Sequence, residues 1–553
     1  MNRWYFIHSA AAAVAVCALA AQAAAQGTAN QAAAQGTASQ GTVQLTLADA
    51  VQRAVEHNPD LAIVRLDTEA DAARVGESRG AFAPVFSTQL GHTRNVTPPT
   101  SALVGATGLD VRDWFSSTGV RQRLPWGAGT WSVSVDAART TTNNPFTSFD
   151  PNLASGIQLA FSQPLLRDRR IDESRAQYVI AKRNQASTEL RFRESVVQTV
   201  ATVKEAYWTL EAAIANVGVQ QRSLELAQEL ARQNRIKVDA GQTPPLDLVQ
   251  SEAEIAQRRQ NLIQAKTTAE DAEDHLRRLI MDPGDQGFWN AHLDPTEAPP
   301  QVQAAPDADA AVARAMAERS DLTRAQHDLD NATTSVELSR NQTLPDVRLE
   351  TSYRGNGLAG RQLIRTGTFP GIITGSLDSN FGNALGQAFG TDYPAWSVGV
   401  TVNYPIGRSF EQATLARAEV ERRQASERIA SLRLDAAESV RRAARQVRST
   451  AERVEAARAG ATLAEERYHD EQRRYDVGLS TTFLVTQAQR DLLQAQVDLL
   501  QSTLDHQSAL VSFEAVQQAP SANATGTVAI RGADIVLLPT PAPRGLFRPG
   551  AGQ

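Results

Sequence analysis

Tyr475–Gln496 reads YDVGLSTTFLVTQAQRDLLQAQ and lies inside a long segment rich in alanine, arginine and glutamate. The segment has the composition of continuous helix, but Val477-Gly478-Leu479-Ser480 interrupts it. A glycine gives the backbone the freedom to reverse direction, and Ser480 or Thr481 can cap the helix that follows. The stretch therefore predicts a helical hairpin with Gly478 at its turn.

The helix that enters this turn is predicted to run from about residue 409 to residue 476. With about 68 residues it spans on the order of 100 Å, which no compact globule accommodates. Its apolar residues recur at spacings of three and four, and many are alanine, which favours closely packed helices of the coiled-coil type. This seam consists of Ile429, Leu432, Ala436, Val440, Ala443, Val447, Thr450, Val454, Ala457, Ala461, Ala464 and Tyr468. A solitary coiled coil is the alternative that the seam alone permits.

The same order of elements occurs twice along the chain. Ala308–Leu322 repeats the pattern of Leu47–Leu61 without a gap, and Pro84 and Pro345 keep the same separation. A first long helix is predicted from about 171 to 239, followed by a break at 241–245 and a shorter helix to about 280. The sequence thus predicts a mainly α chain with β segments, built from a duplicated helix-strand-helix unit.

Two windows between the helices alternate apolar and polar residues, as strands of a transmembrane barrel do. The first window contains Phe86, Thr88 and Leu90, then Trp131, Val133 and Val135, and finally Ile157, Leu159 and Phe161. The second contains strands at about 346–353 and 396–404, and GNGLAG (Gly355–Gly360) is predicted to be a loop between them. One chain supplies about four strands, or six if a hairpin at 114–141 joins them, so a barrel needs several chains.

The beginning of the sequence has a basic residue, an apolar run and small residues near position 25, as a cleaved secretory signal does. Such cleavage removes Cys17, the single cysteine of the 553 residues, and with it any disulfide or thiolate chemistry. The net charge of -6 is spread in mixed sign, so nucleic acid is not an expected partner.

The sequence has no motif that indicates catalysis, a metal or a cofactor. The histidines are scattered singly, without the spacings that assemble a metal site, and no G-x-S-x-G occurs. GNGLAG fits a dinucleotide-binding pattern but is not followed by the helix that this chemistry requires. We therefore expect no enzyme activity, no cofactor and no bound metal.

These features together resemble the TolC-like outer-membrane efflux protein family over about residues 45–516. The matching phrases are LTLADAVQRAVEHNPDL (Leu45–Leu61), FSQPLLR (Phe161–Arg167) and the opening stretch. The resemblance implies a homotrimer in the bacterial outer membrane, with one twelve-stranded β-barrel in the lipid and a long α-helical barrel in the periplasm. It also implies a passive exit channel of a tripartite efflux or type I secretion system, with a periplasmic adaptor protein and an inner-membrane pump as partners. The alternative is a periplasmic coiled-coil scaffold without channel activity.

The predicted division of the chain follows this resemblance. A signal peptide (1–25) and a flexible leader (26–44) come first. The first repeat consists of periplasmic helices (45–81), barrel strands and loops (82–164) and a long helical hairpin (165–281), and an equatorial linker (282–307) follows it. The second repeat consists of periplasmic helices (308–344), barrel strands and loops (345–405) and a long helical hairpin (406–517), and a tail (518–553) ends the chain.

In this family the helical turns contact the adaptor, which implies docking roles for the two turns of this chain. Val477, Gly478, Leu479 and Ser480 match the family's turn letter for letter, whereas Ala240, Gly241, Gln242 and Thr243 keep only the glycine and the hydroxyl. Some members carry acidic gate residues six and nine positions after the turn glycine. The corresponding residues here are Asp247, Gln250, Leu484 and Gln487, of which only Asp247 is acidic. We expect the two turns to dock unequally, and three copies of Asp247 to form a ring that attracts cations.

Overall fold

The computed structural model describes most of the chain: residues 42–98, 108–282, 284–299, 306–368, 371–390, 392–404, 406–407 and 409–520. The predicted signal peptide lies outside the described residues, as do all but the last residues of the predicted leader and all but the first of the predicted tail. In the described part, no helix combines the length and the hydropathy needed to cross a membrane.

The helices form two sets in the same order. They are α1 (Leu47–His57), α2 (Pro59–Gly80), α3 (Glu173–Asp239), α4 (Pro245–Ile280), α5 (Ala308–Glu318), α6 (Ser320–Gln342), α7 (Phe381–Phe389), α8 (Phe410–Asp476) and α9 (Thr482–Gln518). The long helices α3 and α8 have 67 residues each, so each spans about 100 Å. The predicted duplicated unit is confirmed, and α7 is an addition that occurs only in the second set.

Side-chain caps explain where several helices begin. Thr46 Oγ1 accepts a hydrogen bond from the Asp49 amide at 3.1 Å and starts α1. Asn58 ends α1 and caps α2, and its side-chain amide also donates to the carbonyl of Leu279 at 3.1 Å. The Asn58-Pro59 break therefore joins α1 and α2 into a stacked pair that is fixed to the end of α4.

The main core lies where the two helical sets meet a small parallel sheet. This sheet pairs β1 (Thr42–Leu45) with β6 (His292–Pro295), and a short 3-10 helix (Gln286–Asn290) precedes β6. Tyr207 of α3 is fully buried beside them and donates its hydroxyl to the carbonyl of Leu45 at 3.1 Å. β1 thus begins within the predicted leader, and β6 within the predicted equatorial linker.

The larger sheet is antiparallel and six strands wide. Its strands are β2 (Val85–Thr97), β3 (Leu109–Arg123), β4 (Thr130–Thr142), β5 (Phe149–Pro164), β7 (Asp346–Thr366), β8 (Ile372–Asp378) and β9 (Pro394–Asn403). They follow the order β2-β3-β4-β5-β7, after which β8 and β9 pair with different halves of the same edge of β7. The sheet thus has seven strands, one more than the larger of the two counts that the sequence left open, and it is six strands wide because β8 and β9 share one edge.

The prediction that GNGLAG forms a loop is wrong, because Gly355–Gly360 lies inside β7 and pairs with β5. The glycines are required by packing. A Cβ atom at Gly355 would lie 2.1 Å from the carbonyl oxygen of Ala388 in α7, and one at Gly357 would lie 1.7 Å from that of Ala384. Glycine here permits a helix to lie directly on a strand.

Candidate functional site

The second tip, Val477–Thr481, is a helix reversal of the Schellman type. The Leu479 amide donates to the carbonyl of Arg474 at 2.8 Å, and Gly478 donates to that of Tyr475 at 3.1 Å with φ at +78°. Val477 and Leu479 are 71% and 80% exposed, so the tip presents apolar side chains to solvent.

Thr481, one of the two predicted caps, caps α9 by accepting from the Leu484 amide at 3.4 Å. The other, Ser480, donates its hydroxyl to Glu471 of α8 instead. Both hydroxyls of the turn are therefore used, one to start the returning helix and one to brace the turn against the helix that enters it.

The first tip, Ala240–Pro244, has the same backbone geometry despite its different sequence. Gln242 donates to the carbonyl of Lys237 at 2.8 Å, and Gly241 donates to that of Val238 at 2.9 Å with φ at +71°. Glycine at this position is enough to preserve the turn, because the hydrogen bonds of the turn join backbone groups and do not depend on the other side chains. Where the second tip exposes two aliphatic side chains, the first exposes Ala240 and Gln242.

A buried polar network links the two tips. Asn234 of α3 is fully buried, and its carbonyl accepts a hydrogen bond from the Tyr475 hydroxyl of α8. Its amide donates to Ser251 Oγ of α4 at 2.6 Å. Thr482 Oγ1 of α9 lies 3.2 Å from Asn234 Oδ1 and 3.4 Å from Asp247 Oδ2. We call Asn234, Asp247, Ser251, Tyr475 and Thr482 the tip network.

Lys237 adds a charged contact to this network. Its ammonium group lies 3.4 Å from the centre of the Tyr475 ring and donates to the backbone carbonyl of Tyr475 at 3.2 Å. A cation over an aromatic face in a partly buried position is attracted to the ring. The two helical hairpins are thus joined near their tips by both hydrogen bonds and a cation–π contact.

Only one of the four candidate gate residues belongs to the tip network. Asp247 lies in the first turn of α4, half-buried, with its carboxylate toward Thr482. Gln250 and Leu484 are exposed, and Gln487 donates to Asp491 Oδ1 at 2.7 Å on its own helix. The structure therefore places Asp247 apart from the other three.

A partly buried ion pair joins the same two hairpins farther from the tips, with Glu254 buried and Arg490 exposed. Glu254 of α4 lies 2.7 Å from the guanidinium of Arg258 and 2.5 Å from that of Arg490 in α9. Burial acts to raise the pKa of Glu254, but the hydrogen bond from Arg490 and the charges of both guanidinium groups outweigh it, so its pKa lies below the usual value.

The sequence reasoning missed Asn234 and the Glu254–Arg490 pair. A signal for Asn234 exists, since it is a polar residue amid the buried positions of α3. No such signal exists for the ion pair, because charged residues are frequent on all four hairpin helices and its partners are 236 residues apart.

The larger sheet has one apolar and one polar face. Successive residues of a strand point to opposite faces, and directly paired residues of antiparallel strands share a face. The registers therefore place all three predicted triplets on one face, and Thr88 is the one polar residue among these nine. The aromatic and aliphatic residues of this face include Phe86, Leu90, Trp114, Val120, Trp131, Val133, Val135, Ile157, Leu159, Phe161, Leu349, Tyr353, Trp396, Val398, Val400 and Val402.

The opposite face carries charged and hydroxyl side chains. Ser117 donates to Asp136 Oδ1 at 2.6 Å, and the Arg354 guanidinium lies 3.5 Å from both Asp136 Oδ2 and Gln158 Oε1. This chain of contacts crosses β3, β4, β5 and β7. A sheet with one apolar and one ion-paired face is typical of a wall between lipid and water.

The described residues contain no group of three or more His, Cys, Asp or Glu side chains that could hold a metal ion.

The sequence matches the family model described as "Outer membrane efflux protein" over residues 50–280 and 311–516, which is more than half of the chain. The chain belongs to the outer membrane efflux protein family. Both copies of the duplicated unit take part in the match, which confirms the resemblance read from the sequence.

Solved structures support the fold of this outer membrane efflux protein. It is similar to the CmeC outer membrane channel of Campylobacter jejuni at 16% identity, covering 85% of each chain with a TM-score of 0.60. It is similar to the outer membrane protein VceC of Vibrio cholerae at 15% identity, covering 85% of this chain and 96% of that one with a TM-score of 0.59. It is also similar to the open MtrE outer membrane channel of Neisseria gonorrhoeae at 17% identity, covering 86% of this chain and 89% of that one with a TM-score of 0.58. The comparison with curated proteins gave no match.

Membership confirms the expected location of this efflux protein, the outer membrane with the helical part in the periplasm. The family consists of outer membrane channels and not of enzymes. Its channels are trimeric and work with adaptor and pump partners. These family properties support a channel role for this chain.

Proposed function

We propose that this protein is a passive exit channel of a tripartite efflux or type I secretion system, working as a homotrimer with a periplasmic adaptor and an inner-membrane pump. The observation that carries the proposal is the amphipathic sheet whose strands lead directly into helices of about 100 Å. A single chain thereby supplies both a wall for lipid and a wall for a periplasmic duct. No energy-coupling site is needed, since the pump provides the energy.

The trimer closes its barrel through the two outer edges of each sheet. Within the described residues of one protomer, β2 lies at one edge, and β8 and β9 together form the other. Unpaired strand edges are unfavourable in lipid, so β2 of one protomer pairs with β9 of the next. Six strands from each of three protomers give a barrel of about eighteen strands, wider than the twelve-stranded barrel that the family resemblance implied.

The tips dock the adaptor, and they do so unequally. Val477 and Leu479 give the second tip an exposed apolar surface, whereas the first tip offers Gln242 in the corresponding place. The backbone turns are alike, so the difference lies in the side chains alone. The second tip is therefore the stronger docking site.

The tip network holds the periplasmic entrance closed. It joins the two hairpins of one protomer, so the hairpins separate only if its hydrogen bonds break. Asp247 lies beside this junction, and three copies around the trimer axis form the cation-attracting ring. Exchange of Asp247 for Asn tests the ring by single-channel recording, and unchanged cation selectivity and opening would refute it.

Export by a Gly478→Trp variant tests docking. We expect export to be lost while trimer and barrel remain, because the indole covers the exposed tip. Gly460→Trp controls for the added indole, since Gly460 lies on the same helix α8 with open space around it, and Gly478→Ala controls for strain at the positive φ of Gly478. Persistent export by Gly478→Trp, or equal loss in either control, would refute docking through this tip.

Cell fractionation separates the channel from the scaffold alternative. A channel is recovered from the outer membrane as detergent-extractable, heat-modifiable oligomers. Recovery in the soluble periplasmic fraction would refute the channel and favour a coiled-coil scaffold.

A further inference from the structure

Helix α7 connects β8 to β9 and completes the edge of β7 between them. Among the described residues, 356–360 of β7 pair with neither strand on that edge. The connection bonds them instead: the Leu358 amide donates to Gln387 Oε1 at 2.9 Å, and the Gly360 amide donates to Ser379 Oγ at 2.9 Å. α7 is therefore held to the sheet by specific hydrogen bonds and is not a loosely attached loop.

The helix lies on the apolar face of the sheet. Gly355 pairs directly with Pro394, and Tyr353 pairs with Trp396, so both glycines under α7 share the face that carries the tryptophan. Phe381 lines a shallow cavity on this face together with Leu90, Trp114 and Leu153. α7 thus lies on the side of the wall that we assign to lipid.

The outer side of α7 is uncharged and exposes the side chains of Phe381 and Phe389. Residues 381–390 read FGNALGQAFG and contain no charged side chain. Ala384 and Ala388 are buried against the sheet, whereas Phe389 is 67% exposed. Phe381 is 38% exposed. An uncharged helix that exposes two aromatic side chains is typical of an interaction site.

The height of α7 on the sheet follows from β9. This strand runs from Pro394 to Asn403, where the chain turns toward α8. Ten residues at about 3.3 Å each, tilted by about 40°, rise about 25 Å, which is the height of a barrel's lipid-facing band. α7 packs on the residues that lie at and beyond the Pro394 end, at the border of the band farthest from the periplasmic helices.

We propose that α7 is an interfacial helix that binds the lipid of the outer leaflet, with Phe381 and Phe389 inserted at the level of the headgroups. This inference rests on the proposed membrane barrel and deepens it. The apolar side chains of an interfacial helix are buried at the boundary between headgroups and acyl chains, while the polar groups of the helix stay near water. Gly355 and Gly357 of β7 allow the helix to pack directly against the sheet.

Site-directed fluorescence tests the proposal on the full-length trimer in liposomes. The predicted cleavage removes Cys17, the single cysteine of the sequence, so Phe389→Cys can be labelled selectively with an environment-sensitive fluorophore. We expect blue-shifted emission and stronger quenching by lipids spin-labelled near the headgroup than by lipids labelled near the chain end. Water-like emission without quenching would overturn the inference.

Two labels on β9 separate failure of α7 from failure of the barrel. Val398→Cys lies on the apolar face and Ser397→Cys on the polar face, so only position 398 is expected to be quenched, and by the deep label. If position 398 is quenched and position 389 is not, the barrel stands and the α7 proposal is refuted. If position 398 is not quenched, the barrel orientation is refuted and the α7 proposal with it.

Discussion

Tyr475→Phe removes one hydroxyl from the tip network and leaves the ring in place. The hydroxyl donates to the side-chain carbonyl of Asn234 in α3, and the amide of Asn234 donates to Ser251 of α4, so Asn234 joins the two hairpins. Asn234 Oδ1 keeps Thr482 as a donor in the variant, so no buried acceptor is orphaned. The aromatic face that Lys237 contacts is also retained. The change therefore isolates one hydrogen bond between hairpins.

The magnitude follows from that single bond. A buried hydrogen bond contributes about 1 kcal/mol net, and three protomers that open together lose about 3 kcal/mol of closed-state stability. A difference of about 3 kcal/mol changes the ratio of closed to open channels by a factor on the order of 100. We expect the open probability of the variant to rise by up to this factor.

Single-channel recording in planar bilayers measures the open probability directly. The matched control is Tyr468→Phe, because Tyr468 lies on the same helix and its hydroxyl bonds to Gln489 of the same hairpin. Gln489 also donates to the carbonyl of Leu226 in α3 at 3.4 Å, and this contact between hairpins does not use the Tyr468 hydroxyl. An unchanged open probability in Tyr475→Phe, or an equal rise in Tyr468→Phe, would refute the view that the tip network holds the channel closed.

Three further predictions concern stability and barrel width. The lowered pKa of Glu254 means that its ion pair stabilises the fold above the usual value of 4.5 and loses this effect as the pH falls below it. Thermal unfolding of wild type and Glu254→Gln should thus differ at pH 7 and converge as the pH falls below 4.5, and a difference independent of pH would contradict the assignment. Gly241→Ala should destabilise the protein by about 1 to 2 kcal/mol because its φ is positive, whereas Gly218→Ala within α3 should stabilise it by up to about 1 kcal/mol, both by denaturant unfolding. Deletion of residues 109–142 removes β3 and β4 and should narrow the barrel by about one third in electron cryo-microscopy of the trimer, whereas equal diameters would show that these strands are not part of it.

The strand faces are a feature that the local sequence pattern predicted. Alternation at positions such as 131, 133 and 135 predicted which side chains share a face, and the registers confirm it. The wrong prediction at Gly355–Gly360 has a physical cause. Glycine is selected equally by turns, which need its backbone freedom, and by close packing, which needs the absence of a side chain. Only the position of α7 decides between the two.

The contacts of the tip network are a feature that the local sequence pattern did not predict. The sequence located both tips from their glycines and singled out Asp247, because these signals lie within a few neighbouring residues. Asn234 and Tyr475 are 241 residues apart, and nothing in either segment indicates the other. A hydrogen bond between them exists only after two hairpins of about 100 Å have packed side by side.

The sequence by itself determined the lengths of the helices, their reversal at Gly241 and Gly478, the duplication and the faces of the strands. Each of these depends on interactions within a few residues along the chain: helical periodicity, capping, backbone freedom at glycine and alternation of side chains. The tertiary structure alone decided that six strands lie side by side, that α7 rests on a glycine pair, and that Asn234 and Glu254 join the hairpins. These depend on contacts between distant segments, whose geometry is set by packing and register and leaves no periodic trace in either segment.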